Sequence, residues 1–440
     1  MSSGDPLTTP IPTTTANLRR PNCRHKRPRA ARICVFACYN SSALSRPFSR
    51  IRPRLSHVAP WTRLGQKAGL QFSEPFRIQA FHILMAITHS APALAQTASF
   101  DDRRAVRFWL IAVAALVFLM VLVGGATRLT ESGLSITQWK PVTGVLPPLI
   151  AAEWQAEFDR YKQIPQFAQL NSDMNLDGFQ AIFWWEWAHR LLARIVGAAF
   201  ILPALWFWWR SQLKGALGRQ VAVATGLLAL EPIVGWWMVS SGLSERTEVA
   251  QERLALHLLI AAATFGALIY AAVGLSERPR SKTAPRAFAI SAWIFTALVF
   301  CQLGLGALVA GLRAGLIYNT WPLMGSSLVP GEAFRPSTLQ AIFGDAATAQ
   351  FDHRMVAYAV VAFAIVQAIA ALRATPGSPL ASRAVVLAAI ALLQVALGIA
   401  TLLALVPIEL ALPHQALALA LFGLSVVHLR ATELEQDGQL

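Results

Sequence analysis

The chain has 440 residues, of which 55% are apolar and only 14% are charged, and its mean hydropathy is +0.47. Soluble domains carry about 25% charged residues, so this composition excludes a one-domain soluble enzyme and indicates a membrane protein. The net charge of +15 is concentrated in residues 1–98, where 14 Lys and Arg stand against two acidic residues. Residues 99–440 carry 24 basic and 21 acidic side chains. Because the rest of the chain is nearly neutral, its charge gives no support to a nucleic-acid partner.

Residues 1–98 form a basic N-terminal extension that we predict to be mostly disordered. The segment is rich in Pro, Ser, Thr and Arg and shows no sustained periodicity. An Arg-rich, acid-poor leader is typical of a mitochondrial transit peptide. A translated upstream region, with the true start near Met85, would have the same composition, so the sequence leaves both interpretations open, together with a genuine domain. The extension also holds three cysteines whose irregular spacing departs from the usual zinc-ligand pattern: Cys23, Cys34 and Cys38.

Eight apolar stretches follow, each with about the 20 residues that a helix needs to cross a bilayer. The Lys and Arg residues of the short connecting loops fall on one side. The positive-inside rule therefore places both termini on the cytoplasmic or matrix side and the long 127–180 loop on the opposite side. We predict an all-α integral membrane protein with eight transmembrane helices. They cover residues 105–126, 181–208, 219–240, 253–274, 288–311, 351–372, 383–406 and 410–429.

The two halves of this region resemble each other, which predicts two four-helix-bundle repeats covering residues 105–274 and 288–430. Four spans per repeat give both repeats the same orientation in the membrane, so they would be parallel repeats. Residues 186–190 match 350–354 at an offset of 164, and 254–257 match 410–414. A further set matches at an offset of 182: Gly124, Gly133, Leu134 and Trp139 with Gly306, Gly315, Leu316 and Trp321.

Four of the five histidines beyond the extension lie near the starts of even-numbered spans: His189, His257, His353 and His414. In the predicted topology they share one depth near the outer interface, and polar groups at membrane depth are usually functional. Two imidazoles from facing helices are the ligands that hold a haem iron from both sides. Carboxylates are too few for a di-iron centre, and no Cys-x-x-Cys-His motif indicates covalent haem. We therefore predict one haem pocket per half, with zinc or copper as the alternative.

Glu186 distinguishes the first half from the second. It lies three residues before His189, on the same helix face, whereas its counterpart is Gln350. A carboxylate can accept a proton or polarise water where an amide cannot. We therefore predict chemistry in the first half and a resident cofactor in the second. The alternative is that Glu186 only pairs with Arg190 or Arg194.

The sequence leaves two roles open for each of two further charged residues, Glu231 and Arg128. Glu231 lies in the middle of the third span, before Pro232, which should kink the helix. The sequence identifies no partner for Glu231, and both a structural and a functional role stay open. Arg128, at the outer end of the first span, is a candidate anchor for a haem propionate, since Arg suits carboxylates. The alternative is a cationic residue at the membrane interface.

Several motifs occur in order along the eight spans: residues 124–134, 186–190, 235–239, 241–243, 317–322 and 351–354. Together they resemble the haem A synthase (Cox15/CtaA) family over about residues 105–430. The chain has no cysteine between residues 39 and 300, which is similar to the cysteine-free class of alphaproteobacteria and mitochondria. One departure is Glu231-Pro232, where the family pattern has Gln-Gly before the Gly-Trp-Trp-Met motif.

The resemblance implies an enzyme that oxidises the C8 methyl group of haem O to a formyl group, giving haem A for terminal oxidases. It implies that His353 and His414 ligate a resident haem b, that His189 and His257 bracket the substrate haem, and that Glu186 is the essential acid. It also implies haem O received from a haem O synthase, an electron acceptor that the sequence does not identify, and surrounding membrane lipid. The location would be the bacterial cell inner membrane, or alternatively the mitochondrial inner membrane. A homo-oligomer stays open.

Two other functions compete with the synthase. A bis-histidine di-haem cytochrome b would carry electrons between quinol and a partner. It needs two similar haems and no special acid, so Glu186 opposite Gln350 favours the enzyme. A transporter of parallel repeats would need broken helices and a site at the membrane midplane, whereas the four histidines are predicted near one face.

Overall fold

The computed structural model describes residues 74–276, 285–331 and 343–437. Side chains are described within these ranges from Asp102 to Gln436. The chain divides into two units, Met1–Gln79 and Ala80–Leu440, and the candidate membrane spans lie in the second. The cysteines of the N-terminal extension lie outside the described residues, so a zinc site there stays untested.

The described residues form ten α-helices and no β-strand. Eight of them, all except the short helices Ala151–Tyr161 and Pro165–Leu170, contain a segment long and apolar enough to cross a membrane. This confirms the predicted all-α integral membrane fold with eight spans. The first helix starts at Glu74, within the extension that we predicted to be disordered, and its apolar segment is Asp102–Leu129. The helices are α1 Glu74–Leu129, α2 Ala151–Tyr161, α3 Pro165–Leu170, α4 Leu176–Trp209, α5 Gly215–Ser240, α6 Gln251–Gly274, α7 Arg286–Gly311, α8 Ala346–Ala374, α9 Pro379–Leu403 and α10 Ile408–Asp437.

Side-chain caps set the first residue of three spans. Asn175, Asp345 and Ser378 each accept a hydrogen bond from the backbone N–H three residues on. Such an N-cap satisfies one of the four N–H groups that a helix start leaves unpaired. Helices α4, α8 and α9 therefore begin four or five residues before the apolar runs from which we predicted them.

The first four spans close into a ring. Helix α1 packs on α4 through Trp109, whose Nε1 donates to the Ala199 carbonyl at 2.9 Å and whose ring stacks on Phe200. It packs on α6 through Phe118 and Phe265. Helices α4, α5 and α6 contact one another in sequence order. The result is a closed group of four helices.

The last four spans form a second closed group, because α7, α8, α9 and α10 pack in sequence order and α10 returns to α7. The two groups meet through α6, which contacts both α7 and α10. Gln415 on α10 also donates to the Val121 carbonyl on α1 at 2.9 Å. These contacts suit the predicted four-helix halves, while the parallel relation between the halves stays a prediction.

Residues 130–175 cover one end of the bundle, which we call the loop end. Helices α2 and α3 and the start of α4 enclose a small aromatic core in which Tyr161 and Phe179 are fully buried. The sequence did not predict these two short helices, which are less apolar than the spans. Helices α1, α5, α7 and α9 end at the loop end, and α4, α6, α8 and α10 begin there or just beyond it.

Candidate functional site

Each of the four predicted histidines places its imidazole against a glycine of the preceding span. A Cβ built on any of these glycines would lie closer to the ring than ordinary carbon contacts of roughly 3.5–4.0 Å allow. A larger residue would therefore require the imidazole to shift, most of all at Gly398. The distances from the built Cβ are 3.1 Å from Gly124 to His189 Nε2, 3.1 Å from Gly235 to His257 Cε1, 3.2 Å from Gly306 to His353 Cε1, and 2.7 Å from Gly398 to His414 Cε1.

The four contacts lie at one level of the bundle. Each glycine stands five residues before the last residue of its helix, at the ends of α1, α5, α7 and α9. Three histidines are six or seven residues into their helices, but His189 is thirteen residues into α4. It lies further along its helix than we predicted, because α4 begins at Leu176, within the segment that covers the loop end. A common level near one face agrees with the predicted arrangement, and the side of the membrane stays a prediction.

The histidines are brought together in two pairs. His189 lies within electrostatic range of His257, and His353 within range of His414. In the part of the chain that the structure describes, no group of three or more Cys, His, Asp or Glu side chains could hold a metal ion. Protein zinc sites use three or four such ligands, whereas a haem iron takes only axial ligands from the protein. The paired geometry therefore fits haem better than zinc or copper.

A glutamine one turn before the glycine holds each histidine of the second half. Nε2 of Gln302 lies 3.0 Å from Nδ1 of His353 and donates to the carbonyl of the same residue at 2.9 Å. Gln394 repeats this arrangement on His414, at 3.1 Å and 3.0 Å. A residue four before the glycine lies on the same helix face. The sequence analysis missed both glutamines, because the four-residue spacing points to them only once the glycine–histidine contacts are known.

Glu231 occupies the same position in the first half, four residues before Gly235. Its Oε2 lies 2.6 Å from Nδ1 of His257, so the partner that the sequence could not identify is the histidine of the next helix. Helix α5 continues through Pro232 to Ser240. Before Gly124 the corresponding residue is Met120, which is apolar.

Glu186 is buried, with 3% of its surface exposed, and four donors converge on its carboxylate. Oε2 accepts from the Ser135 hydroxyl at 2.8 Å and from the Ile136 backbone N–H at 2.7 Å. Oε1 accepts from Nε and Nη2 of Arg190 at 3.0 Å and 2.6 Å. The contact proposed in the alternative interpretation, Glu186 with Arg190, is therefore present. The same hydrogen bonds also hold Ser135 and Ile136, which follow α1 in the chain, against α4.

The second half has an arginine, Arg354, at the position of Arg190, but a glutamine, Gln350, at the position of Glu186. Arg190 donates to the Ile136 and Gln138 carbonyls. Its counterpart Arg354 donates to the carbonyl of Tyr318, which matches Ile136 at the offset of 182. Gln350 donates to the same carbonyl at 3.2 Å. The neutral amide therefore replaces the carboxylate within an otherwise similar framework.

Arg128 belongs to a charged cluster that joins the two halves at the loop end. Its Nη2 donates to Glu248 at 2.8 Å and to the Ala310 carbonyl at 3.0 Å. Arg313 pairs with the same Glu248 and, at 2.6 Å, with Glu131. The charge of Arg128 is thus matched by a protein carboxylate, and its role toward a propionate stays a prediction.

Comparison with known proteins adds the family. A family model described as COX15-CtaA, cytochrome oxidase assembly protein, matches residues 107–426. A protein of Rhodopseudomonas palustris strain BisA53 named "Heme A synthase" is 54% identical over 74% of this chain and 90% of its own length. A "Heme A synthase" of Brucella anthropi is 48% identical over 77% of this chain and 94% of its own length. A "Heme A synthase" of Bradyrhizobium sp. strain ORS 278 is 50% identical over 74% of this chain and 91% of its own length. With matches of this extent across all eight spans, the chain belongs to the COX15-CtaA family of cytochrome oxidase assembly proteins.

Proposed function

We propose that this protein makes haem A by oxidising the C8 methyl group of haem O to a formyl group. Its family and the names of its relatives support haem A synthesis. Two histidine pairs, each lying against two glycines, support two haem pockets. The observation that carries the proposal is the inequality of the pockets, because buried Glu186 stands where the second half has Gln350.

In this proposal the first half binds the substrate and the second half holds the cofactor. His189 and His257 would ligate the iron of haem O, and His353 and His414 the iron of a resident haem b. When bound, haem b supplies a redox centre that passes electrons from the substrate to an external acceptor. Gln302 and Gln394 contact Nδ1 of His353 and His414. The glycine next to each imidazole leaves room for the ring.

Glu186 would be the acid–base group of the first pocket. Methyl oxidation releases protons, and a carboxylate one turn from an axial ligand can accept one or polarise an attacking water. The Ser135 hydroxyl and the Ile136 N–H fix the position of one carboxylate oxygen, and Arg190 neutralises the charge. Positioning of this kind is what general acid–base catalysis requires before any pKa matching.

We also propose a membrane location for the protein and a source for its substrate. The protein would lie in the bacterial inner membrane, or in the mitochondrial inner membrane, with both termini on the cytoplasmic or matrix side. Haem O would come from a haem O synthase. The alternative function is the di-haem cytochrome b, which the family match does not favour.

The test is the Glu186→Gln variant of the full-length protein, with Gln350→Glu as the matched control. We expect Glu186→Gln to retain both haems and to lose formyl production by about 100-fold or more, the usual contribution of an acid–base group. Extraction and chromatography of the pigments would then show haem O without haem A. Normal haem A from this variant would overturn the catalytic role. Two haem b molecules in the unmodified protein, with neither haem O nor haem A, would instead support the cytochrome.

A further inference from the structure

Glu231 provides a carboxylate at a position where the second half uses amides. Counted back from the glycine that contacts each histidine, Glu231, Gln302 and Gln394 are all at the fourth residue. All three reach Nδ1 of the histidine on the next helix. Because the three residues occupy equivalent positions, the change from a carboxylate to an amide is a chemical difference between the two pockets.

The two chemical groups act differently on an imidazole. An amide has both a donor and an acceptor, so contact with Nδ1 is compatible with either neutral tautomer of the ring. A carboxylate only accepts, so it holds a proton on Nδ1 and leaves the Nε2 lone pair of His257 for a metal. A carboxylate behind a ligating histidine also increases the basicity of the ligand, as in other metal sites.

The burial of Glu231 and His257 favours this effect of the carboxylate on the imidazole. Glu231 is mostly buried, with 16% of its side chain exposed, and His257 has 22% exposed. The second carboxylate oxygen of Glu231 and Nδ1 of His257 are both buried, and neither makes a directed hydrogen bond. The 2.6 Å approach of Oε2 to Nδ1 is therefore an ion-pair contact between two otherwise unsatisfied groups. The carboxylate is therefore directed at His257 in a partly dry environment, where its electrostatic effect on a ligated iron is larger than in water.

We propose that Glu231 is a positioning residue that fixes His257 as the axial ligand of the haem in the first half and makes it a stronger donor than the amide-held histidines of the second half. This rests on the proposed function, in which that haem is the substrate haem O. A stronger and more negative ligand set stabilises the ferric state. The haem of the first half would therefore have a lower reduction potential than the haem of the second half.

The test exchanges the two groups in the full-length protein. Glu231→Gln should shift one component of a spectroscopic redox titration to a more positive potential and lower the retention of that haem by roughly tenfold, a usual cost of losing such a partner. The reciprocal Gln394→Glu should shift the other component to a more negative potential. Glutamine already occupies the matched positions of α7 and α9, so the exchange is compatible with the helix packing.

Three outcomes distinguish the inference from the function on which it rests. Unchanged potentials and unchanged haem retention in Glu231→Gln would overturn the role of Glu231, whatever haem the protein contains. A shift in Glu231→Gln that Gln394→Glu also produces in the same direction would overturn the ligand-strength argument. Haem b in both pockets, with the predicted opposite shifts, would sustain Glu231 while overturning haem A synthesis.

Discussion

Substitution of Gly398 by alanine is expected to displace His414 and to weaken the binding of the resident haem. A Cβ at this position would lie 2.7 Å from Cε1 of the imidazole. Reaching an ordinary carbon contact of about 3.5 Å requires the ring or helix α9 to move by roughly 0.8 Å. Such overpacking typically costs about 1–3 kcal/mol, which corresponds to a loss of affinity of roughly 5-fold to 150-fold.

The assay is the haem b content of the purified full-length variant, read from its reduced-minus-oxidised spectrum and from extracted pigment. Gly306→Ala should have a smaller effect, because its Cβ would lie 3.2 Å from His353. Gly226→Ala is the matched control, since nothing lies within 4 Å of its Cβ and alanine favours the helix. If Gly398→Ala retains haem as well as Gly226→Ala does, the glycine does not set the position of the imidazole.

Two other predictions concern the second half and the charged cluster. His353→Ala should lose the b-type spectrum of the resident haem, and an unchanged spectrum would move the cofactor to the other half. Arg313→Gln removes the ion pairs with Glu131 and Glu248; because partly exposed pairs contribute about 0–1 kcal/mol each, we expect a small decrease in the thermal midpoint and unchanged haem content. A large loss of haem in Arg313→Gln would show that the cluster supports the pockets directly.

The eight spans were predictable because hydropathy is a local signal that each stretch carries by itself. The small core at the loop end was not, because its burial depends on contacts between distant residues. Tyr161 and Phe179 pack at 5.4 Å between ring centroids, and Gln166, which accepts from the Tyr161 hydroxyl, also donates to the Glu131 carbonyl. No periodicity in residues 130–175 indicates these contacts.

The four histidines were predictable from their matched positions, but their supports were not. The partner of Glu231 is on another helix, and finding it requires knowing that Gly235 contacts His257. The sequence alone made Glu231 look like an isolated buried acid beside a proline. Once one glycine–histidine contact is known, the residue four positions earlier identifies the support in three of the four spans; the exception is Met120 before Gly124.

The two pockets place their acidic side chains at different positions of the matched stretches 186–190 and 350–354. In the first half Glu186 and Arg190 form an ion pair at 2.6 Å and neutralise each other. In the second half Arg354 donates to the carbonyls of Tyr318 and Leu323, and the residue that matches Glu186 is a neutral amide. The second half carries its carboxylate two residues later, because Asp352 stands where the first half has Ala188. The matched stretches therefore have equal formal charge but place the acid differently.

A difference in charge between the pockets comes from Glu231, because its carboxylate beside His257 corresponds to the amide of Gln394 beside His414. Negative charge near a haem stabilises the ferric iron and positive charge stabilises the ferrous iron. Under the proposed function, this difference favours transfer of electrons from the substrate haem of the first half to the resident haem of the second half. With the charge reversed, the same transfer would be less favourable. In the proposal, Glu186 therefore accounts for the place of the chemistry and Glu231 for the direction in which its electrons leave.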